Sequence, residues 1–263
     1  MVHTIAINNF KGGVSKSSTT LGLAYILSQK LGYNTLVLDL DPQADTTDTL
    51  FLTFQKKPKK DLYYTLKDNN SINECLISLN QSLDLIPSNF NMIGFPHLLE
   101  DLNYSRTSGA TIIDKFISPI KENYDFILID TPPTISDYSS NAIYACDYSL
   151  IVMQTHRRSY KAVEKFISYL AKFQDAYQKD FEVLGILPVM FKKDGKVDNQ
   201  VIEEAENEYG EYLFDKCVYQ RDRVKRWDLT GITDEDHHDK NTLKMYQDIT
   251  ENMIEKIDYY ERE

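Results

Sequence analysis

The chain has 263 residues, with 29 Lys plus Arg against 40 Asp plus Glu, and its net charge of −11 excludes a generally basic nucleic-acid coat, so any DNA contact must be local. Ten glycines and eight prolines never cluster into a linker, which predicts a single α/β domain over residues 1–263. Cys75, Cys146 and Cys217 are odd in number and include no CxxC pair, so they support neither a disulfide framework nor a zinc site and fit a reducing cytosol.

Met1-Val2-His3-Thr4 shows no basic stretch followed by an apolar one, so no secretory signal is expected. Strand-length apolar runs follow at Thr4–Asn8, Thr35–Leu40, Leu83–Ile86, Phe126–Ile129, Ser149–Met153 and Val183–Val189. None approaches the roughly 18 residues of a membrane span. Helical spacing is clearest in Val163, Phe166, Ile167, Leu170 and Phe173, and again in Leu243, Tyr246, Ile249, Met253, Ile257 and Tyr260. Strands that are apolar on both faces and alternate with helices predict a doubly wound, mostly parallel sheet flanked by helices. The run Lys56-Lys57-Pro58-Lys59-Lys60 reads as a solvated loop.

The first strand runs straight into Asn9-Phe10-Lys11-Gly12-Gly13-Val14-Ser15-Lys16-Ser17-Ser18, and Leu21, Ala24, Tyr25 and Leu31 then repeat at helical spacing. A polyphosphate needs close backbone N–H groups, a helix N-terminus and a cation, and Gly12-Gly13, Lys16 and Ser17 supply these. The Ser17 hydroxyl would ligate Mg²⁺. Phe10 and Ser15 stand where the standard GxxxxGK[ST] pattern has glycine. Two further acidic sites follow. In Leu36-Val37-Leu38-Asp39-Leu40-Asp41-Pro42-Gln43-Ala44, two carboxylates one residue apart end a strand and cannot both enter a core without partners. In Tyr124-Asp125-Phe126-Ile127-Leu128-Ile129-Asp130-Thr131-Pro132-Pro133, an apolar strand ends in an acid.

Lys-Gly-Gly-Val-x-Lys-Ser, a DxDPQ segment and a strand-Asp-Thr-Pro-Pro segment, in that order, resemble the deviant Walker A loop, Walker A′ and Walker B with switch region of the ParA/MinD ATPases. The resemblance spans about residues 3–260 and implies a P-loop NTPase fold with ATP and Mg²⁺ as cofactors. It implies that Gly12, Gly13, Val14, Ser15, Lys16, Ser17 and Ser18 bind phosphates, that Ser17, Asp39 and Asp130 form the magnesium shell, and that Asp41 positions the attacking water. Lys11 is the family's signature lysine, which reaches across a nucleotide-sandwich dimer. Its charge then acts like an arginine finger, only when the dimer forms. Gly185-Ile186-Leu187-Pro188 resembles the strand leading to the adenine pocket, with Pro188 to Met190 as base contacts. Ser15 replaces a family glycine, and a Cβ there would crowd the loop or resist a positive φ, slowing ATP handling.

The tails of the branches differ in charge. From Asn241 to Glu263 the chain has three cations and six anions, which repels an anionic membrane and opposes the alternative of a MinD-like membrane-surface ATPase. Tyr219-Gln220-Arg221-Asp222-Arg223-Val224-Lys225-Arg226-Trp227 instead carries four cations and one acid, where partition ATPases have a DNA-contacting basic segment. Arg221, Arg223, Lys225 and Arg226 are therefore the expected contacts to the phosphates of nonspecific double-stranded DNA. His156-Arg157-Arg158 with Lys161 is a second, weaker patch. The resemblance is to short plasmid-type members that lack an N-terminal winged helix, and it implies an ATP-dependent homodimer, a separately encoded ParB-like centromere-binding partner and a cytoplasmic, nucleoid-associated location. Tyr259-Tyr260 is weak evidence for the less favoured alternative of a tyrosine autokinase, and an iron–sulfur relative would need cysteines at the dimer seam, where Cys146 is the only one near the switch region.

Overall fold

A computed structural model describes residues 1–58 and 60–262; Lys59 of the lysine-rich run and Glu263 lie outside the described residues. Among the described residues one sheet contains β1 (His3–Asn8), β2 (Thr35–Asp39), β3 (Ile77–Ser78), β4 (Leu83–Ile86), β5 (Phe126–Asp130), β6 (Tyr148–Gln154), β7 (Glu182–Phe191) and β8 (Val218–Tyr219). Their order is β3-β4-β2-β5-β1-β6-β7-β8, parallel throughout except where β3 pairs with β4. The helices are α1 (Lys16–Tyr25), α2 (Asp45–Phe54), α3 (Leu62–Lys67), α4 (Phe95–Asp101), α5 (Arg106–Gly109), α6 (Ile112–Ile117), α7 (Asp137–Ala145), α8 (Arg157–Tyr177), α9 (Lys196–Tyr209), α10 (Asp222–Thr230) and α11 (His237–Tyr260). The predicted doubly wound, mostly parallel sheet is the fold observed.

Successive strand residues point to opposite faces, and both faces are buried, which is why the strands are apolar without alternation. Ala6, Leu38, Ile129, Ile151 and Ile186 enter the core layer that holds Val163, Phe166, Leu170 and Phe173 of α8. Ile5, Ile7, Val37, Leu128 and Val152 enter the other layer, with Leu243, Tyr246, Ile249, Met253 and Ile257 of α11. The apolar stripe of α11 is thus used within the protein. Its register against α1 is set by Gly22, where an added Cβ would lie 2.3 Å from the Tyr246 ring. No helix among the described residues is long and apolar enough to cross a membrane.

All six predicted strands are present. The two that the apolar pattern does not reveal, β3 and β8, are two-residue strands at the sheet edges, too short to carry a period. Residues 56–58 of the lysine-rich run are exposed, and Lys60 makes surface pairs with Glu74 at 3.0 Å and Asp68 at 3.4 Å. Open α/β sheets bind ligands beyond the carboxyl ends of strands at the point where strand order reverses. Here that point is β1, flanked by β5 and β6, and both Ile7 and Asp39 stand in register with Asp130.

Candidate nucleotide site

The loop between β1 and α1 is tied down on the β6 side. Asn9 donates its Nδ2 to the Val152 carbonyl at 2.6 Å, and the Lys11 N–H donates to Asn9 Oδ1 at 3.0 Å. Phe10, standing where the standard loop has glycine, packs edge-on against Phe166 with ring centroids 4.5 Å apart. Gly13 takes a φ of 69°, and Ser15, the residue preceding α1, takes φ 57° and ψ 32°. Ser15 therefore adopts the left-handed conformation that glycine favours.

That conformation costs a non-glycine residue roughly 1–2 kcal/mol. Ser15→Gly would relieve it but would also free the unfolded chain, so the net change in stability is expected to stay within about 1 kcal/mol. Isothermal titration should find the ATP affinity of Ser15→Gly within threefold of the parent. A tenfold gain would show that the Ser15 side chain obstructs the site.

Asp39 and Asp130 are both fully buried. Asp130 accepts the Thr46 hydroxyl at 2.6 Å and the Thr131 N–H at 3.1 Å, and the Ser17 side chain also hydrogen-bonds to it. Burial pushes the Asp130 carboxyl up, while Thr46, Ser17 and the Lys16 ammonium pull it back. Asp39 is pushed well above the usual carboxylate range, chiefly by burial and then by Asp130 facing it. Lys16 is itself buried, and its pKa is lowered by desolvation against the pull of Asp130 and Asp41. Two carboxylates, one ammonium and one hydroxyl thus converge beside the glycine loop.

Asp39 sits at the head of the turn into α2. Its Oδ1 accepts the Asp41 N–H at 3.0 Å, and its Oδ2 accepts both the N–H and the hydroxyl of Thr47, at 3.0 and 2.7 Å. Both oxygens are engaged by the turn into α2, so Asp39 braces that turn and Asp41 with it. Asp41 is only half-buried, and its Oδ1 accepts the Gln43 N–H at 3.0 Å. Thr46 and Thr47 went unrecognised in the sequence; their signal was a threonine pair following the DPQA turn at a helix start.

Lys11 is held within the chain. Its Nζ donates to Gln154 Oε1 at 3.0 Å and to Ser159 Oγ at 2.8 Å, and desolvation, with Arg158 nearby, lowers its pKa. Pro188 is buried and lines a cavity of about 210 Å³ with Ile202, Glu206 and Leu213. Met190, at φ 57° where the β7–β8 register shifts, packs into the α11 core layer instead. The structure does not bring these two candidate base contacts together. Cys146 is fully buried, which pushes its thiol up to about 12, and its Sγ donates to the Ile143 carbonyl.

The basic segment divides. Arg223 pairs with Asp236, and its Nε lies 3.1 Å from Asp239, which is 2 % exposed. Asp236 also caps α11, accepting the N–H groups of His238 and Asp239. Arg223 thus fastens α10 to α11 while lining the same open cavity as Arg221 and Arg226. Arg221 and Arg226 line an open cavity of about 510 Å³ with His238 and Thr242, and Lys225 makes an exposed pair with Asp222. An exposed pair of that kind is worth little and leaves Lys225 available.

Residues 2–183 match the family described as the AAA domain. A ParA family protein of Chlamydia muridarum is 31% identical over 196 residues, covering 73% of this chain and 74% of that protein. An ATP complex of Cyanothece McdA superposes with a TM-score of 0.81 at 21% identity, covering 96% of both chains. A plasmid partition protein of Borrelia burgdorferi gives 0.76 at 22% identity, covering 97% of this chain and 99% of that one. With Lys11 ahead of the buried Lys16 at the head of a parallel sheet, these likenesses establish that the chain belongs to the ParA family of partition ATPases.

Proposed function

We propose that this chain is an ATP-driven switch for DNA segregation. It binds ATP with Mg²⁺, pairs with a second copy across the nucleotide face, holds DNA without sequence preference as that dimer, and releases it when a separately encoded partner stimulates hydrolysis. The observation that carries this reading is the convergence of Lys16, Ser17 and Asp130 with Asp41 beside the glycine loop.

The donor set fits the cofactors. Among the described residues no group of three or more His, Cys, Asp or Glu forms a metal cluster. Mg²⁺ takes one or two protein ligands and completes its shell with phosphate and water, and here the buried Asp130 and the half-buried Asp41 both act on the buried Lys16 ammonium. Bound Mg²⁺ would neutralise charge on the phosphoryl oxygens. Lys16 and the N–H groups of Gly12 to Ser18 bind phosphates, Ser17 and Asp130 hold the metal, and Asp41 orients water. Lys11 exchanges Gln154 and Ser159 for the phosphates bound by the second copy.

Exposed apolar side chains support a second copy on this face. Phe90 and Ile93 follow β4, Ile135 follows β5, and all three are more than half exposed beyond the strand ends that carry the site. The use of α11's apolar stripe in the core favours DNA over a membrane as the bound surface.

Fluorescence anisotropy of a random-sequence duplex, with ADP, ATP or a nonhydrolysable ATP analogue at several salt concentrations, tests the reading. Binding is expected only with the triphosphates and should weaken with salt. Arg221→Ala with Arg226→Ala should lower the salt slope by about 1.8, at roughly 0.9 per lost phosphate contact. Absence of binding under every nucleotide condition would overturn the DNA part of the reading.

A further inference from the structure

The longest apolar-faced helix after α11 carries a second charge pattern on its outer side. Residues 157–172 contain five cations, Arg157, Arg158, Lys161, Lys165 and Lys172, and one acid, Glu164, in a chain whose net charge is −11. All five cations are exposed, and among the described residues none forms an ion pair. Arg157, Lys161 and Lys165 recur every four residues and Lys172 follows seven later, so they share one face, opposite the buried Val163, Phe166, Leu170 and Phe173. From Arg157 to Lys172 the stripe extends about 22 Å, at 1.5 Å per residue.

We infer that this outer face of α8 is a second surface for the DNA phosphate backbone, separate from the α10 segment. The inference rests on the DNA-binding reading above and adds a location to it. Charge complementarity points to a polyanion. A protein partner would normally meet apolar or aromatic anchors at the centre of its interface, and no large hydrophobic side chain of α8 is exposed. Phosphate contacts require only placed cations. The two basic regions lie against different core layers, since α8 packs into the layer of Ala6 and Ile129 whereas Trp227 of α10 packs into that of Ile5 and Leu128. The sheet stands between those layers, so the two surfaces meet different stretches of DNA.

The head of the stripe adjoins the nucleotide site. Ser159, fully buried between Arg158 and Tyr160, accepts the Lys11 ammonium. DNA on α8 therefore lies next to the residue that must move when a second copy binds.

The test compares the full chain, the Arg221→Ala, Arg226→Ala variant, a Lys161→Ala, Lys165→Ala, Lys172→Ala variant and its Lys→Arg counterpart, each with a nonhydrolysable ATP analogue for binding and with ATP for turnover. The readouts are duplex anisotropy against salt, polyglutamate binding and ATP turnover. The α8 alanine variant is expected to lower the salt slope by about 2.7, three contacts at roughly 0.9 each, while the arginine variant keeps the parental slope and turnover is unchanged in both. If the parent binds no DNA, the DNA reading fails and this inference with it. If the parent binds and the α10 variant weakens while the α8 variant keeps the parental slope, only the α8 surface is overturned. Loss of polyglutamate binding with an unchanged DNA slope would likewise overturn it, in favour of an acidic protein.

Discussion

Asp130→Asn is expected to make the free chain more stable and the enzyme inactive. Asp130 and Asp39 are fully buried, stand in register on adjacent strands, and raise each other's cost of ionisation. An amide removes that repulsion, keeps an oxygen for the Thr131 N–H, and presents an NH₂ to the Thr46 hydroxyl, which can accept. A gain on the order of 1–2 kcal/mol is expected, with about 2–4 °C in thermal midpoint per kcal/mol for a chain near this size. Mg²⁺-dependent turnover should fall at least about 100-fold, because the metal loses its carboxylate.

The pH dependence has a definite sign. A carboxyl whose folded pKa is raised binds its proton in the folded chain at pH values where the unfolded chain has released it. Between the usual carboxylate range and the raised value, the parent therefore gains stability as pH falls, and Asp130→Asn does not share that gain. The advantage of the variant should be largest near neutrality and close as pH drops through this window. Differential scanning calorimetry across pH checks it, and an advantage that widens toward acid would show that the buried pair is not the cause.

Asp41→Ala should separate binding from turnover. Asp41 is less buried than Asp39 and receives only the Gln43 N–H, so its removal leaves the Asp39–Thr47 brace in place. Loss of a water-orienting carboxylate typically costs 10²–10⁴-fold, as for general-base catalysis. Phosphate release should fall by about that factor while triphosphate-dependent DNA retention persists. Lys16→Ala, by contrast, should lose both. Equal turnover of Asp41→Ala and the parent would refute the assignment.

The parallel sheet, the loop at Gly12-Gly13 and the aspartates ending β2 and β5 were legible in the sequence because each is a local pattern. An apolar run, a helical period or a glycine turn acts over a few residues, and its physical cause lies within the same window. The helical stripes of α8 and α11 were read for the same reason.

What lay beyond the sequence was the pairing of charges distant along the chain. Nothing near Asp39 in the sequence shows that α2 returns Thr47 onto its Oδ2 while the Asp41 N–H takes its Oδ1. Arg223 looked like its basic neighbours until α11 brought Asp236 and the buried Asp239 against it. Lys11 meets Ser159, which is 148 positions away along the chain. Composition and local pattern determined that an α/β chain with a glycine loop ahead of its first helix and confined basic patches would form. Which partners hold Asp39, Arg223 and Lys11 was decided by the tertiary structure, because a charged group near the core is held by whichever partner the topology brings within hydrogen-bond distance.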